Sequence, residues 1–66
     1  MRLIVNGEKK ELKDDATVAQ LLKTLRPSTA PVAVLVNDTV VKVERRTRHA
    51  LKKGDHVEIL TFAGGG

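Results

Sequence analysis

The pattern of hydrophobic and polar positions begins with a β-hairpin. In residues 1–5, Leu3 and Val5 fall on one side of a two-residue period, as in a strand with one buried face. Asn6-Gly7 follows at once, and this dipeptide favours the type I′ turn of a hairpin. The mostly polar residues 8–12 are therefore predicted to return as an edge strand with Leu12 facing inward.

The clearest helix signal lies in the next segment. Residues 17–20, Thr-Val-Ala-Gln, fit the S/T-x-x-E/Q capping box and predict a helix that begins at Val18. Apolar residues then recur at i, i+3, i+4 and i+7, the spacing of one helical face. They are Val18, Leu21, Leu22 and Leu25. Pro27 lacks a backbone donor and disfavours helical conformation in Arg26, so we expect the helix to end there.

Three later segments have the composition of strands. They are residues 32–36, 40–43 and 56–62. Residues 44–50 show little periodicity and are predicted to form an irregular excursion with one helical turn, after which Leu51 anchors the chain in the core. Lys52-Lys53-Gly54-Asp55 is a turn signal before the last strand.

This order of elements predicts an α+β domain. One amphipathic helix should pack on one face of a mixed sheet of about four to five strands. If the first and last strands lie side by side, the C-terminal residues project from the end of the sheet. We expect residues 1–62 to form a single domain and residues 63–66 to form a flexible glycine tail.

The composition excludes several classes of function. The 66 residues contain no Cys, which rules out disulfides, thiolate metal sites and cysteine nucleophiles. No apolar stretch approaches the roughly 20 residues of a membrane helix, and the N-terminus has no signal-peptide pattern, so we expect a cytoplasmic protein.

The charge balance raises the question of nucleic acid. The net charge is +4 and the pI is about 9.9. The basic clusters are short and interrupted by acidic residues, and no aromatic side chain lies among them to stack on a base. An ordinary solvated surface or an acidic protein partner explains the charge as well as RNA does, so RNA binding is disfavoured.

The C-terminal glycines are the strongest candidate for chemistry. If the chain ends natively at Gly66, its α-carboxylate is unhindered. Gly64 and Gly65 would let the tail stay extended and enter a narrow active site. Taken alone, the same run also fits a frayed end or a linker remnant.

Read end to end, the chain resembles the ubiquitin-like sulfur carriers of the ThiS family, which act in thiamine biosynthesis and have the β-grasp fold. The matching pieces are Val5-Asn6-Gly7, Thr17-Val18 with Leu21-Leu22, Val34-Leu35-Val36-Asn37, Leu51-Lys52-Lys53-Gly54-Asp55 and the terminal glycines. Two alternatives stay open: a MoaD-like carrier for molybdopterin synthesis, and an RNA-binding TGS-like module. The chain departs from the carriers in having Val41-Lys42-Val43 where they often have Val-Pro-Arg, and Arg46 where they often have an aromatic residue.

The resemblance implies a cosubstrate rather than an enzyme. An E1-like, ThiF-like adenylyltransferase would use ATP and Mg²⁺ to convert the Gly66 carboxylate to an acyl-adenylate. A persulfide sulfur donor would then produce a thiocarboxylate, and a ThiG-like thiazole synthase would receive the sulfur. The chain itself would bind no cofactor. The sequence does not show whether Gly66 is also joined to lysine side chains.

The remaining polar candidates favour structural roles, and one apolar set favours docking. His49 and His56 lack the three or four ligands of a zinc site, and Asp14, Asp15 and Glu11 fit a loop before a helix N-terminus. We therefore predict no catalytic and no metal-binding residue. Strand alternation directs four large apolar side chains to the face opposite the helix, where they are candidates for partner docking. They are Ile4, Leu35, Leu60 and Phe62.

Overall fold

The computed structural model describes residues 1–25 and 31–61. Their elements are β1 (Arg2–Val5), β2 (Glu8–Glu11), α1 (Val18–Leu25), β3 (Val32–Val36), β4 (Thr39–Val40), a 3-10 turn (Val43–Arg45) and β5 (His56–Thr61). The predicted succession of two strands, a helix and three further strands is confirmed.

The five strands form one mixed sheet in the order β2-β1-β5-β3-β4. The first and last strands are parallel neighbours, with Val5 opposite Val57. β3 runs antiparallel along the other side of β5, so that Val32 lies opposite Thr61. This is the predicted β-grasp arrangement, and it makes β5 the central strand.

Two tight turns join the hairpins. Asn6 and Gly7 both have positive φ, at 49° and 81°, as the type I′ turn requires. Asn37 and Asp38 repeat this geometry between β3 and β4, at 50° and 69°. Both turns hold their flanking strands in direct register.

The predicted strand over residues 40–43 is wrong in its bounds. Because the turn after β3 takes only two residues, Thr39 pairs directly with Val36, and β4 is Thr39–Val40. Val41 then faces the core at 5% exposure, and Val43 begins the 3-10 turn. Of the β-branched residues in this segment, only Val41 is buried.

The capping box of α1 forms as predicted. The Gln20 amide donates to Thr17 Oγ1 at 3.2 Å, and the Thr17 amide donates to Gln20 Oε1 at 2.8 Å. Val18 and Leu21 are fully buried, but Leu22 and Leu25 are only half-buried at the edge of the core. The eight-residue helix therefore buries a thinner stripe than the spacing predicts.

The inner face of the sheet completes the core. Its six buried strand residues alternate with the positions predicted to face outward, and they are Leu3, Val5, Val34, Val36, Val57 and Ile59. Leu12 packs against this cluster from the end of the first hairpin, and Leu51 is 2% exposed, so both predicted anchors are confirmed.

The excursion between β4 and β5 is irregular, as predicted, and it contacts the start of the helix. The Val18 amide donates to the His49 carbonyl and the Ala19 amide donates to the Arg46 carbonyl, both at 3.0 Å. These carbonyls satisfy N-terminal helix donors that have no partner within the helix. The excursion is thus fixed to the domain through its backbone.

Candidate functional site

The predicted tail, residues 63–66, follows the central strand of the sheet in the sequence. Thr61 is the last residue of β5, and its neighbour across the sheet is Val32. Four predicted site residues lie outside the described part of the chain: Phe62, Gly64, Gly65 and Gly66. The same holds for the predicted boundary between domain and tail. The site can therefore be built from the strand that leads into the tail and from its surroundings.

One side of this strand is held by the side chain of Asn6. β1 ends at Val5, and its last backbone bond to β5 runs from the Asn6 amide to the Val57 carbonyl at 2.9 Å. Two residues further on, Asn6 Oδ1 accepts from the Ile59 amide at 2.8 Å and Asn6 Nδ2 donates to the Ile59 carbonyl at 3.4 Å. The side-chain amide takes the place of the next residue of a neighbouring strand.

Asn37 does the same at the start of β5. Its backbone amide donates to the His56 carbonyl at 2.7 Å, and its Oδ1 accepts from the His56 amide at 3.0 Å. Its Nδ2 donates to Asp55 Oδ1, also at 3.0 Å. Two turn asparagines therefore bind this strand, Asn37 at His56 from one flank and Asn6 at Ile59 from the other.

Arg46 binds the residue paired with the end of β5. β4 pairs only with the last two residues of β3, so the Val32 carbonyl has no strand partner. Arg46 Nη2 donates to that carbonyl at 2.7 Å. Its Nε atom is buried and has no partner among the described residues. In the sequence, Arg46 stood out only because it replaces an aromatic residue of the carriers. In the structure its guanidinium holds the first residue of β3.

The open face of the sheet carries the other predicted site residues. Ile4 and Leu35 lie between buried neighbours on their strands and face away from the core, and both are half-buried. Leu60 is 50% exposed on the same face. The three residues share one face, as strand alternation predicts.

These residues do not form one continuous cluster. Ile4 lies beside His56, and Leu35 lies opposite Glu58, so two polar residues of β5 separate Ile4 from Leu35. Ile4, His56 and Glu58 instead line a shallow hollow between the two tight turns. Single-strand alternation gives the face of each residue, but the cross-strand register decides which side chains are neighbours.

An apolar strip runs from Leu60, near the end of β5, to the β4 edge of the sheet. Leu60 lies opposite Ala33, and Leu35 lies opposite Val40. Val40 is 63% exposed, and Val43 just beyond it is 69% exposed. Sequence reasoning missed both valines because it placed them inside a strand whose faces it could not assign.

The titratable candidates lie in local contacts, and Glu11 is the last residue of β2 instead of part of the predicted loop before the helix. Glu11 pairs with Arg2 at 3.0 Å, and Asp14 lies 3.4 Å from the N-terminal amine. His56 is exposed and His49 is half-buried. Over residues 1–25 and 31–61, no group of three or more His, Cys, Asp or Glu side chains is placed to hold a metal ion. In the same ranges no helix is long and apolar enough to cross a membrane.

Comparison with known proteins shows similarity to one family along nearly the whole chain. The model of the ThiS family matches residues 3–66. A crystal structure of a thiamine biosynthesis protein (ThiS) from Geobacter metallireducens superposes with a TM-score of 0.84 at 36% identity, and the match covers all of both chains. An NMR structure of a thiamine biosynthesis protein from the same organism gives 0.79 at 35% identity, covering all of this chain and 88% of the other.

A curated relative is much longer. A thiazole synthase of Paramagnetospirillum magneticum is 36% identical over 66 residues, which is all of this chain. The chain spans only 20% of that protein's length. A segment resembling this entire domain is thus found within a larger protein.

Proposed function

The chain belongs to the ThiS family, and from this premise we propose that it is the sulfur carrier protein of thiamine (thiazole) biosynthesis. The observation that carries the proposal is the extent of the family match, which runs from the first strand through Gly66. A full-length likeness to a thiamine biosynthesis protein supports the same pathway. In this role the chain is a cosubstrate, and the catalytic groups belong to its partners.

The proposed reactive group is the α-carboxylate of Gly66. An E1-like adenylyltransferase joins this carboxylate to the α-phosphate of ATP in the presence of Mg²⁺ and releases pyrophosphate. Sulfur from a persulfide donor then attacks the acyl carbon and AMP leaves. Once the donor's sulfur–sulfur bond is reduced by a thiol, the product is a thiocarboxylate in which sulfur replaces one oxygen. Adenylation is needed because a free carboxylate is a poor electrophile with no good leaving group.

The described residues serve this chemistry by holding the tail's attachment point. The Asn6 side chain binds Ile59. Arg46 binds Val32, which lies opposite Thr61 in the sheet. A fixed base lowers the entropy lost when an enzyme captures the residues that follow. Gly64 and Gly65 have no side chain to obstruct a narrow channel.

The open face of the sheet is the proposed docking surface for the activating enzyme and for thiazole synthase. Leu60 and Leu35 lie on this face close to the base of the tail, and Ile4 borders the adjacent hollow. Phe62 belongs to the same proposal by its place in the sequence. The thiazole synthase with a segment like this chain supports that enzyme as the sulfur acceptor. We place these steps in the cytoplasm.

The test is conversion of the tail by the adenylyltransferase from the same organism. Pyrophosphate exchange measures adenylation, and intact mass after addition of the sulfur donor detects exchange of one oxygen for sulfur. We expect Gly65→Val to abolish both signals, because a β-branched side chain restricts the backbone and widens the tail. Thr24→Val is the matched control, since it introduces the same residue at an exposed position of the helix, away from the open face of the sheet, and should react like the parent.

Two outcomes would contradict the proposal. Normal adenylation and thiolation of Gly65→Val would show that the tail is not the reactive element. A thiolated carrier that supplies molybdopterin synthase but not thiazole synthase would move the chain to the MoaD-like alternative.

A further inference from the structure

The positive charge of this protein is concentrated in one segment, residues 42–53. These twelve residues hold six Lys or Arg side chains and one Glu, a net charge of +5. The rest of the chain holds six Lys or Arg and seven Asp or Glu, a net charge of −1. The net positive charge of the chain therefore comes from residues 42–53.

The cations of this segment have no carboxylate partner among the described residues. The ion pairs of the described residues all lie near the opposite edge of the sheet, at the first hairpin and the N-terminal amine. Examples are Arg2–Glu11 and Lys10–Glu8. Lys42, Arg45 and Arg48 are exposed. Their charges remain available to attract a binding partner.

The backbone that carries these side chains is fixed. The Arg45 carbonyl accepts from the Arg48 amide at 3.0 Å and from the His49 amide at 2.9 Å. The next carbonyl, that of Arg46, accepts from the helix N-terminus. Side chains on a bonded backbone lose less entropy on binding than those on a loose loop.

Two of the charged positions border the exposed Val40 of the β4 edge, and Val43 lies between them in the sequence. Val40, Lys42 and Arg45 line one shallow depression together with Glu44 and His49. Val40 is also the end of the apolar strip that leads to Leu60. An apolar centre with a charged rim is the usual anatomy of a protein–protein interface.

We propose that Lys42, Arg45 and Arg48, with Val40 and Val43, form a docking surface for a carboxylate-rich surface of the enzyme that adenylates the tail. This inference rests on the proposed function and identifies the partner's chemistry. Nucleic acid fits less well, because the segment has no Phe, Tyr or Trp to stack on a base, and Glu44 lies within it. The neighbouring valines also favour a protein partner.

The experiment measures association of the chain with the immobilised adenylyltransferase of the same organism. In Arg45→Glu/Arg48→Glu we expect the association rate to fall about tenfold and the dissociation rate to change less than about twofold, since rim charges act mainly on encounter. A higher salt concentration should lower the association rate of the parent and leave that of Arg45→Glu/Arg48→Glu nearly unchanged. Arg45→Gln/Arg48→Gln should give an intermediate rate, and it retains a readout if the reversed pair folds poorly.

Lys13→Glu/Lys23→Glu is the matched control. Both lysines are exposed and lack ion pairs within the described residues, and the double substitution changes the net charge by the same amount. We expect its association rate to stay within about twofold of the parent. An equal effect of the two double variants would overturn the docking surface in favour of a general charge effect.

The remaining outcomes separate this proposal from the proposed function. If the parent is adenylated and Arg45→Glu/Arg48→Glu associates like the parent, only the docking surface is wrong. If Arg45→Glu/Arg48→Glu loses association but no chain is adenylated, the surface stands and the carrier function fails. Tight binding of an oligouridylate that is lost in the same variant would assign the surface to nucleic acid instead.

Discussion

Replacing Asn6 by glycine tests whether side-chain clamping of β5 supports the base of the tail. Asn6 has a φ of 49°, which glycine adopts without strain, so Asn6→Gly removes the amide and keeps the turn. The Ile59 amide and carbonyl then lose their partners at 2.8 and 3.4 Å. The end of the central strand should open more often as a result.

The size of the effect follows from the two hydrogen bonds. A typical bond contributes about 0.5–1.5 kcal/mol, and an unsatisfied buried group costs about 1–3 kcal/mol. The 2.8 Å bond should dominate, and the site is only partly buried, so we expect local opening to become easier by about 1–2 kcal/mol. Since about 1.4 kcal/mol is a factor of ten, exchange of the Ile59 amide hydrogen should accelerate roughly tenfold.

Asn37→Gly is the matched control, because Asn37 has a φ of 50° and binds the opposite end of the same strand. The assay is amide hydrogen exchange followed by NMR. Asn37→Gly should accelerate exchange at His56 and leave Ile59 near the parent rate, and Asn6→Gly should do the reverse. Equal acceleration at both amides in both variants would mean that the strand opens as one unit, which would refute the reasoning.

Two further predictions concern the core and the open face. Leu21→Ala should lower the free energy of unfolding by about 3–5 kcal/mol, because its side chain is fully buried. Leu22→Ala should cost only about 1–2 kcal/mol, because Leu22 is half-buried; urea denaturation measures both, and equal losses would contradict the assigned helix face. Leu60→Asp should weaken binding to thiazole synthase in calorimetry with little change in melting temperature, because Leu60 is half exposed in the free chain. Thr24→Asp on the helix side should bind like the parent, and equal weakening in both variants would remove the open face as the docking surface.

Local signals were enough to predict most of the fold. The Thr17 to Gln20 capping box and the spacing of Val18 and Leu21 define the start and the buried face of the helix. Asn6-Gly7 defines the first turn. Each of these features depends on residues within a few positions of one another, where steric and hydrogen-bonding preferences act directly.

Long-range register set what could not be predicted. Asn6 binds Ile59 across 53 residues of sequence, and Arg46 binds Val32 across 14. An asparagine before glycine indicates a turn whether or not its side chain has a distant partner. The separation of Ile4 from Leu35 likewise follows from pairing with β5 and not from either strand alone. Such features need the assembled sheet.

The short strand on one flank of β5 explains why a side chain bonds to it there. β1 stops opposite Val57, four residues before the end of β5, and β3 begins opposite Thr61. A longer β1 could have made the Asn6 bonds, and a longer β4 could have made the Arg46 bond. Instead the Asn6 amide satisfies Ile59 of β5, and the Arg46 guanidinium satisfies the carbonyl of Val32, the first residue of β3. If the tail reacts as proposed, these side-chain bonds fix the strand that precedes it without placing a further strand beside that strand.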